Sequence, residues 1–165
     1  MNIEAQFSKA AMVRFERTLP GPIERVWEFL TNTERLPGWF GHGIIEPREG
    51  GAVTLMGGHI RGVVTQWKPP RVLAYTWNVF SPGETESPYP ESYLTFALEP
   101  RGNQVLLTLT HVPILERFER QNAMGWHTFL DILGAAISGQ QDEPRETYMK
   151  RNAERYGVDL NNLVR

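Results

Sequence analysis

The chain contains no cysteine among its 165 residues. Disulfides, thiolate nucleophiles and thiolate metal sites are therefore excluded. No apolar run approaches the roughly 18 residues needed to cross a bilayer. The start, "MNIEAQFSKAAMVRF", has no basic segment followed by a long apolar stretch of the secretory kind. A cytoplasmic protein without membrane insertion is expected. A net charge of -2 supplies no general attraction for nucleic acid. His42, His59, His111 and His127 form no HxxxH or HExxH spacing, so no metal is expected. No nucleotide-binding glycine loop opens a helix and no GxSxG elbow is present, so no cofactor is expected either. Glu46, Glu49, Glu91 and Glu99 read as strand-end or turn residues rather than a paired carboxylate site.

What is present is an ordinary globular composition, with 41% hydrophobic and 22% charged residues, enough for one domain with a real core. Residues 11–18 alternate Val13 and Phe15 with Arg14 and Glu16, the period of a strand with one wet face. "GPIERVWEFL" then places Ile23, Val26, Trp27 and Leu30 at helical spacing, and Thr31 to Glu34 reads as a capping box for a further turn. Strands are predicted at about 43–47, 52–57, 59–67, 71–79, 91–99 and 104–111, separated by glycine and proline turns. Their close spacing predicts an antiparallel meander. Residues 81–92 read as a polar, proline-punctuated loop. "NAMGWHTFLDILGAAISG" repeats Trp126, Leu130, Leu133 and Ile137 with Phe129 at the flank, a long helix with one apolar stripe. The tail carries a weaker stripe of Tyr148, Met149, Ala153 and Tyr156, with Gly157 as its C-cap.

The order of these elements is that of an α+β domain whose sheet curves around its last long helix. "PIERVWEFLTNTERLPGWF", "KPPRVLAYTW", "LTFALEP", "LTLTH" and "GWHTFLDILGAAISG", in this order, closely resemble the activator of heat-shock-protein ATPase homologue family, within the START-like SRPBCC superfamily. The resemblance spans about residues 11–139. It implies a helix-grip fold: a curved antiparallel sheet gripping a long C-terminal helix, with two short helices after the first strand and often an apolar cavity between. Residues 11–140 are expected to form this domain, with 1–10 an N-terminal extension and 141–165 a helical C-terminal one. The additional N-terminal domain of eukaryotic chaperone activators has no counterpart, which counts against direct co-chaperone action.

Alternation places Leu107, Leu109 and His111 on the inner face of one strand, Leu94, Phe96 and Leu98 on another, and Leu73, Tyr75 and Trp77 on a third. The long helix supplies Trp126, Phe129, Leu130 and Leu133 opposite them. Trp39 and Phe40, in "GWFGHG", are expected near the cavity entrance as a plug or gate on a glycine hinge. The expected ligand contacts are Trp39, Phe40, Tyr75, Trp77, Phe96, Leu107, Leu109, His111, Trp126, Phe129, Leu130 and Leu133. These rings can equally fill the interior, and sequence leaves open whether a cavity survives. Trp67, beside "KPP", reads as edge packing. His111 ends a strand on the apolar side and needs a partner. His59 and Arg61 share a strand face, either solvated or meeting a polar head group.

The favoured function is binding of a small hydrophobic or aromatic molecule, with no catalytic set. A cyclase or aromatase using His111, Tyr75 or His59 as proton-transfer groups is an alternative. A protein-interaction role is another, through chaperone regulation or a homodimer built on the C-terminal stripe; that stripe can also fold back and cover its own sheet. Monomer and homodimer both remain open.

Overall fold

The computed structural model describes residues 2–140 and 143–165. Residues 141 and 142, the expected start of the C-terminal extension, lie outside the described residues, as does Met1. Residues 2–10 carry no regular structure and are exposed.

Seven strands form one sheet: β1 (Ala11–Pro20), β2 (Gly43–Ile45), β3 (Ala52–Leu55), β4 (Ile60–Lys68), β5 (Val72–Val79), β6 (Ser92–Arg101) and β7 (Gln104–Ile114). Every pairing is antiparallel, in the order β1-β7-β6-β5-β4-β3-β2. The meander runs from β2 to β7, and β1 closes onto β7 with Phe15 opposite Leu109. Among the described residues three α-helices accompany the sheet, α1 (Ile23–Thr31), α2 (Glu119–Ser138) and α3 (Arg145–Tyr156), and a short 3-10 helix at Leu36–Gly38 follows α1. The curved sheet holding a long helix is the helix-grip arrangement.

The period-two pattern decides which side chains point inward. Leu107 and Leu109 of β7, Leu94, Phe96 and Leu98 of β6, and Leu73 and Tyr75 of β5 are all buried. Trp126, Leu130, Leu133 and Ile137 meet them from α2. Removing this apolar surface from water is the main favourable contribution to folding. On α1, Val26, Trp27, Phe29 and Leu30 are buried, and Trp27 meets Trp67 edge to face at 5.1 Å. Trp67 is thus a partly buried packing residue.

Two local expectations change. Thr31 does not open a second turn: it ends α1, where its hydroxyl donates to the Trp27 carbonyl at 2.8 Å. Asn32 takes over the turn, its Oδ1 accepting from the Glu34 N–H at 2.8 Å. An asparagine just past a helix competes well for such a bond because its short amide reaches the backbone two residues on.

The second change concerns α3, which covers the outer face of α2 rather than the sheet. That explains why Met124, Thr128, Ile132 and Ala135, off the stripe facing the sheet, are buried too. Asn152 is 0% exposed, and its amide donates to Thr128 Oγ1 and Asp131 Oδ2, each at 3.1 Å. Tyr156 Oη and His127 Nδ1 lie 2.8 Å apart. Ala153 is buried, and Tyr148, Met149 and Tyr156 are half-buried. The stripe considered for a dimer is therefore engaged within the chain. Gly157 at φ 65 caps α3, with the Val158 N–H bonded to the Ala153 carbonyl at 2.8 Å.

Asn152→Ala leaves Thr128 and Asp131 without their donor beneath α3. A loss of about 2 kcal/mol is expected from such a buried deletion. The urea midpoint of the variant against the parent measures it.

Candidate functional site

"GWFGHG" is a locked turn rather than a hinge. The N–H groups of Gly38, Trp39, Phe40 and Gly41 bond to the Arg35 and Leu36 carbonyls at 2.8–3.2 Å. Gly41 has φ +146, a conformation that disfavours side chains, and a Cβ on Gly43 would lie 2.5 Å from Leu55 Cδ2. This geometry drives both rings inward, leaving Trp39 2% and Phe40 1% exposed. The Trp39 indole donates to the Phe29 carbonyl at 2.6 Å, and its ring meets Phe96 edge to face. Phe40 stacks on Trp126 with an interplanar angle of 16° and a centroid distance of 5.9 Å, and touches Phe129 at 4.8 Å. From α3, Arg145 donates to the Phe40 carbonyl at 3.3 Å and lies over the Phe129 ring. The pair plugs the middle of the grip.

Beyond this plug, toward the N-terminal half of α2, a cavity of about 490 Å³ remains. Its size is in the usual range for a small-molecule site. Trp77 and Val79 of β5 and His111, Pro113 and Ile114 of β7 form one wall. Asn122 and Phe129 of α2 stand on its boundary as well. Tyr89 and Phe118 meet edge to face at 5.4 Å and, being only partly buried, belong to its rim. Met56 and the exposed His59 complete the side toward β4.

Of the expected contacts, Trp77, His111 and Phe129 line the cavity. Trp39, Phe40, Tyr75, Phe96, Leu107, Leu109, Trp126, Leu130 and Leu133 lie in the packed core around and behind it. Ser92 and Asn122 also border it, although neither was singled out from sequence. Both obey the same periodicities: Ser92 is two residues before inward Leu94, and Asn122 precedes Trp126 by four and Phe129 by seven. Arg61, by contrast, is exposed over the Phe80 ring, outside the cavity wall.

His111 is 2% exposed and organises the polar end of the cavity. An indole nitrogen can only donate, so the bond from Trp126 Nε1 to His111 Nδ1 at 3.1 Å requires Nδ1 to be unprotonated. The neutral ring then carries its proton on Nε2, which donates to Ser92 Oγ at 2.7 Å. The Ser92 hydroxyl in turn donates a hydrogen bond to the Trp77 carbonyl at 3.3 Å. Burial pushes the imidazole down to about 4, favouring this neutral form at pH 7. The pair does not resemble an activated serine: the imidazole gives a proton to the hydroxyl instead of accepting one. Tyr75 lies away from the cavity wall, and burial holds its phenol above the ordinary range. His59 Nδ1 donates to the Phe80 carbonyl at 2.8 Å. Among the described residues, no group of three or more histidine, aspartate or glutamate side chains is placed to hold a metal ion. No helix among them is long and apolar enough to cross a membrane.

Sheet, gripped helix and adjoining cavity define a helix-grip domain of the START-like kind. The chain belongs to the Activator of Hsp90 ATPase homolog 1-like protein family, whose model matches residues 20–138. It is similar to CalU16 from Micromonospora echinospora, with 25% identity and a TM-score of 0.69 over 92% of this chain and 97% of that one. A protein from Bordetella parapertussis is 29% identical, with a TM-score of 0.70 over 95% and 92% of the two chains. The Aha1 dimer from Colwellia psychrerythraea shares the fold at 19% identity and a TM-score of 0.63, covering 77% of this chain and 96% of its own. A search of curated proteins finds no match.

His111 gives the site a pH signature. Its folded value lies below the unfolded value of 6.5, so between pH 6.5 and about 4 the unfolded chain binds more protons than the native one. The contribution is full above 6.5 and is lost as pH falls toward 4, by on the order of 3 kcal/mol. His111→Gln is expected to show a smaller loss of stability than the parent between pH 7 and 4.5, measured by urea unfolding at both.

Proposed function

We propose that the protein binds a small, largely apolar molecule with an aromatic body in the cavity beside the Trp39–Phe40 plug. The observation that carries this reading is the cavity itself: about 490 Å³ remains beside a densely filled aromatic core. Trp77 and Phe129 offer ring surfaces to a ligand, and Tyr89 and Phe118 stand where it would enter. His111, hydrogen-bonded at both nitrogens within the protein, shapes the wall behind Trp77 rather than serving as a general base, since an imidazole held near 4 is a poor proton acceptor at pH 7. The cyclase-like alternative loses support from that arrangement. Chaperone regulation draws on the family description alone, whereas the cavity is supplied by this chain. The domain of residues 11–140 holds the ligand on this reading, with α3 of the C-terminal extension bracing α2 from outside.

Native mass spectrometry followed by thermal-shift screening against fatty acids, sterols, flavonoids and aromatic polyketides tests the proposal. A ligand selective for the folded state raises the melting temperature by an amount that grows with the logarithm of its concentration over Kd. Val79→Trp places a large ring in the cavity; it is expected to keep the fold and abolish the ligand-induced rise. An equal rise in parent and variant would place binding elsewhere.

A further inference from the structure

The rim of the cavity is closed by one ring contact. Tyr89 comes from the polar segment between β5 and β6, and Phe118 from a 3-10 turn, Glu116–Phe118, between β7 and α2. The two rings meet edge to face, and both are only partly buried. The turn that carries Phe118 buries no residue of its own. Backbone bonds from Phe118 to the Leu115 carbonyl and from Glu119 to the Glu116 carbonyl close it. A short turn with so little buried surface opens more easily than the sheet behind it.

That turn is held from outside. Gln121 follows Phe118 by three residues, one turn along the same face, and it lines the cavity too. Its side-chain amide is gripped by the segment after α3: Nε2 donates to the Val164 carbonyl at 3.1 Å, and Oε1 accepts from the Val164 N–H. One side chain thus satisfies both backbone groups of one residue. Val158, Asp159 and Asn162 of the same segment border a cleft with Glu116, Arg117 and Arg120, so the segment runs along the 3-10 turn and the start of α2.

We infer that residues 158–165 form a latch on the cavity: their grip on Gln121 holds the Phe118 side of the mouth shut, and its release sets the rate at which a ligand passes. The inference rests on the binding role proposed above and adds a moving part to it. The clamp is intact with the cavity empty or filled and is broken only while the rings part. It therefore slows entry and exit equally and leaves affinity unchanged.

Two substitutions at Val164 separate a latch from a packing contact. Val164→Pro removes the N–H that bonds to Gln121, whereas Val164→Ala keeps it, and at 45% exposure neither change empties the core. Binding of 1-aminoanthracene, an uncharged aromatic fluorophore, to the full chain is followed by stopped flow, and amide hydrogen exchange is measured without it. Val164→Pro is expected to raise association and dissociation rates together by about tenfold, the equivalent of ~1.4 kcal/mol for the lost clamp, with Kd within about twofold of the parent. Exchange at residues 115–122 is expected to accelerate by a similar factor, and Val164→Ala to behave as the parent. Unchanged rates, unchanged exchange at those residues, a Kd altered through dissociation alone, or the same acceleration in Val164→Ala each overturns the latch while leaving a binding cavity in place. Exchange that accelerates throughout the sheet marks a general loosening and overturns it too. Failure of the fluorophore to bind the parent protein overturns both.

Discussion

The indole of Trp126 can give a hydrogen bond but cannot take one, and that asymmetry organises the polar end of the grip. Its bond to His111 Nδ1 assigns the tautomer, the tautomer assigns Ser92 as an acceptor, and Ser92 in turn closes onto the Trp77 backbone. The chain thus joins α2, β7, β6 and β5 through groups whose proton directions are all determined. Inside an apolar interior such a network resists rearrangement, because reversing one bond strands another buried group. The same geometry keeps His111 neutral and hydrogen-bonded at both ring nitrogens.

The position of the cavity follows from how the rest of the grip is filled. Trp39 and Phe40 are driven inward by a turn whose N–H groups are tied to Arg35 and Leu36, and Phe40 stacks on the same Trp126 that orders the histidine. The middle of the grip is consequently solid. Space remains toward the N-terminal half of α2, where Asn122 takes the stripe position one turn before Trp126. Outside, α3 holds α2 through Asn152 and reaches the plug through Arg145, so the helix that carries Trp126 and Phe129 is braced on both faces.

Much of this architecture was legible in the sequence because strand and helix periods are direct consequences of backbone geometry. Leu107, Leu109 and His111 alternate inward as their spacing implies, and Trp126, Leu130 and Leu133 form the helical stripe. The α+β arrangement followed from those elements and their order, whereas the family, and the helix-grip fold it implies, came from the resemblance carried by five motifs. What the periods do not contain is packing volume. Nothing in the identity of Trp39 and Phe40 reveals whether large rings plug a core or gate a cavity; the answer depends on the three-dimensional turn that aims them. Ser92 and Asn122 were readable by position but hidden by polarity, since a search for apolar residues on an inner face passes over the polar ones. The role of α3 depended on a helix–helix contact between residues distant in sequence, which a weak stripe cannot specify alone.

The chain is thus a member of the Activator of Hsp90 ATPase homolog 1-like family with an aromatic-walled cavity that has one ordered polar end. The claim on which this account turns is the proton order at His111. Selective ¹⁵N-histidine labelling and long-range ¹H–¹⁵N spectra across pH 4 to 8 read it directly. The account predicts a neutral ring with Nδ1 bare and Nε2 protonated at pH 7, taking up its second proton only near the acid end of that range. A ring protonated on Nδ1, or one that titrates near the ordinary value of 6.5, would contradict it.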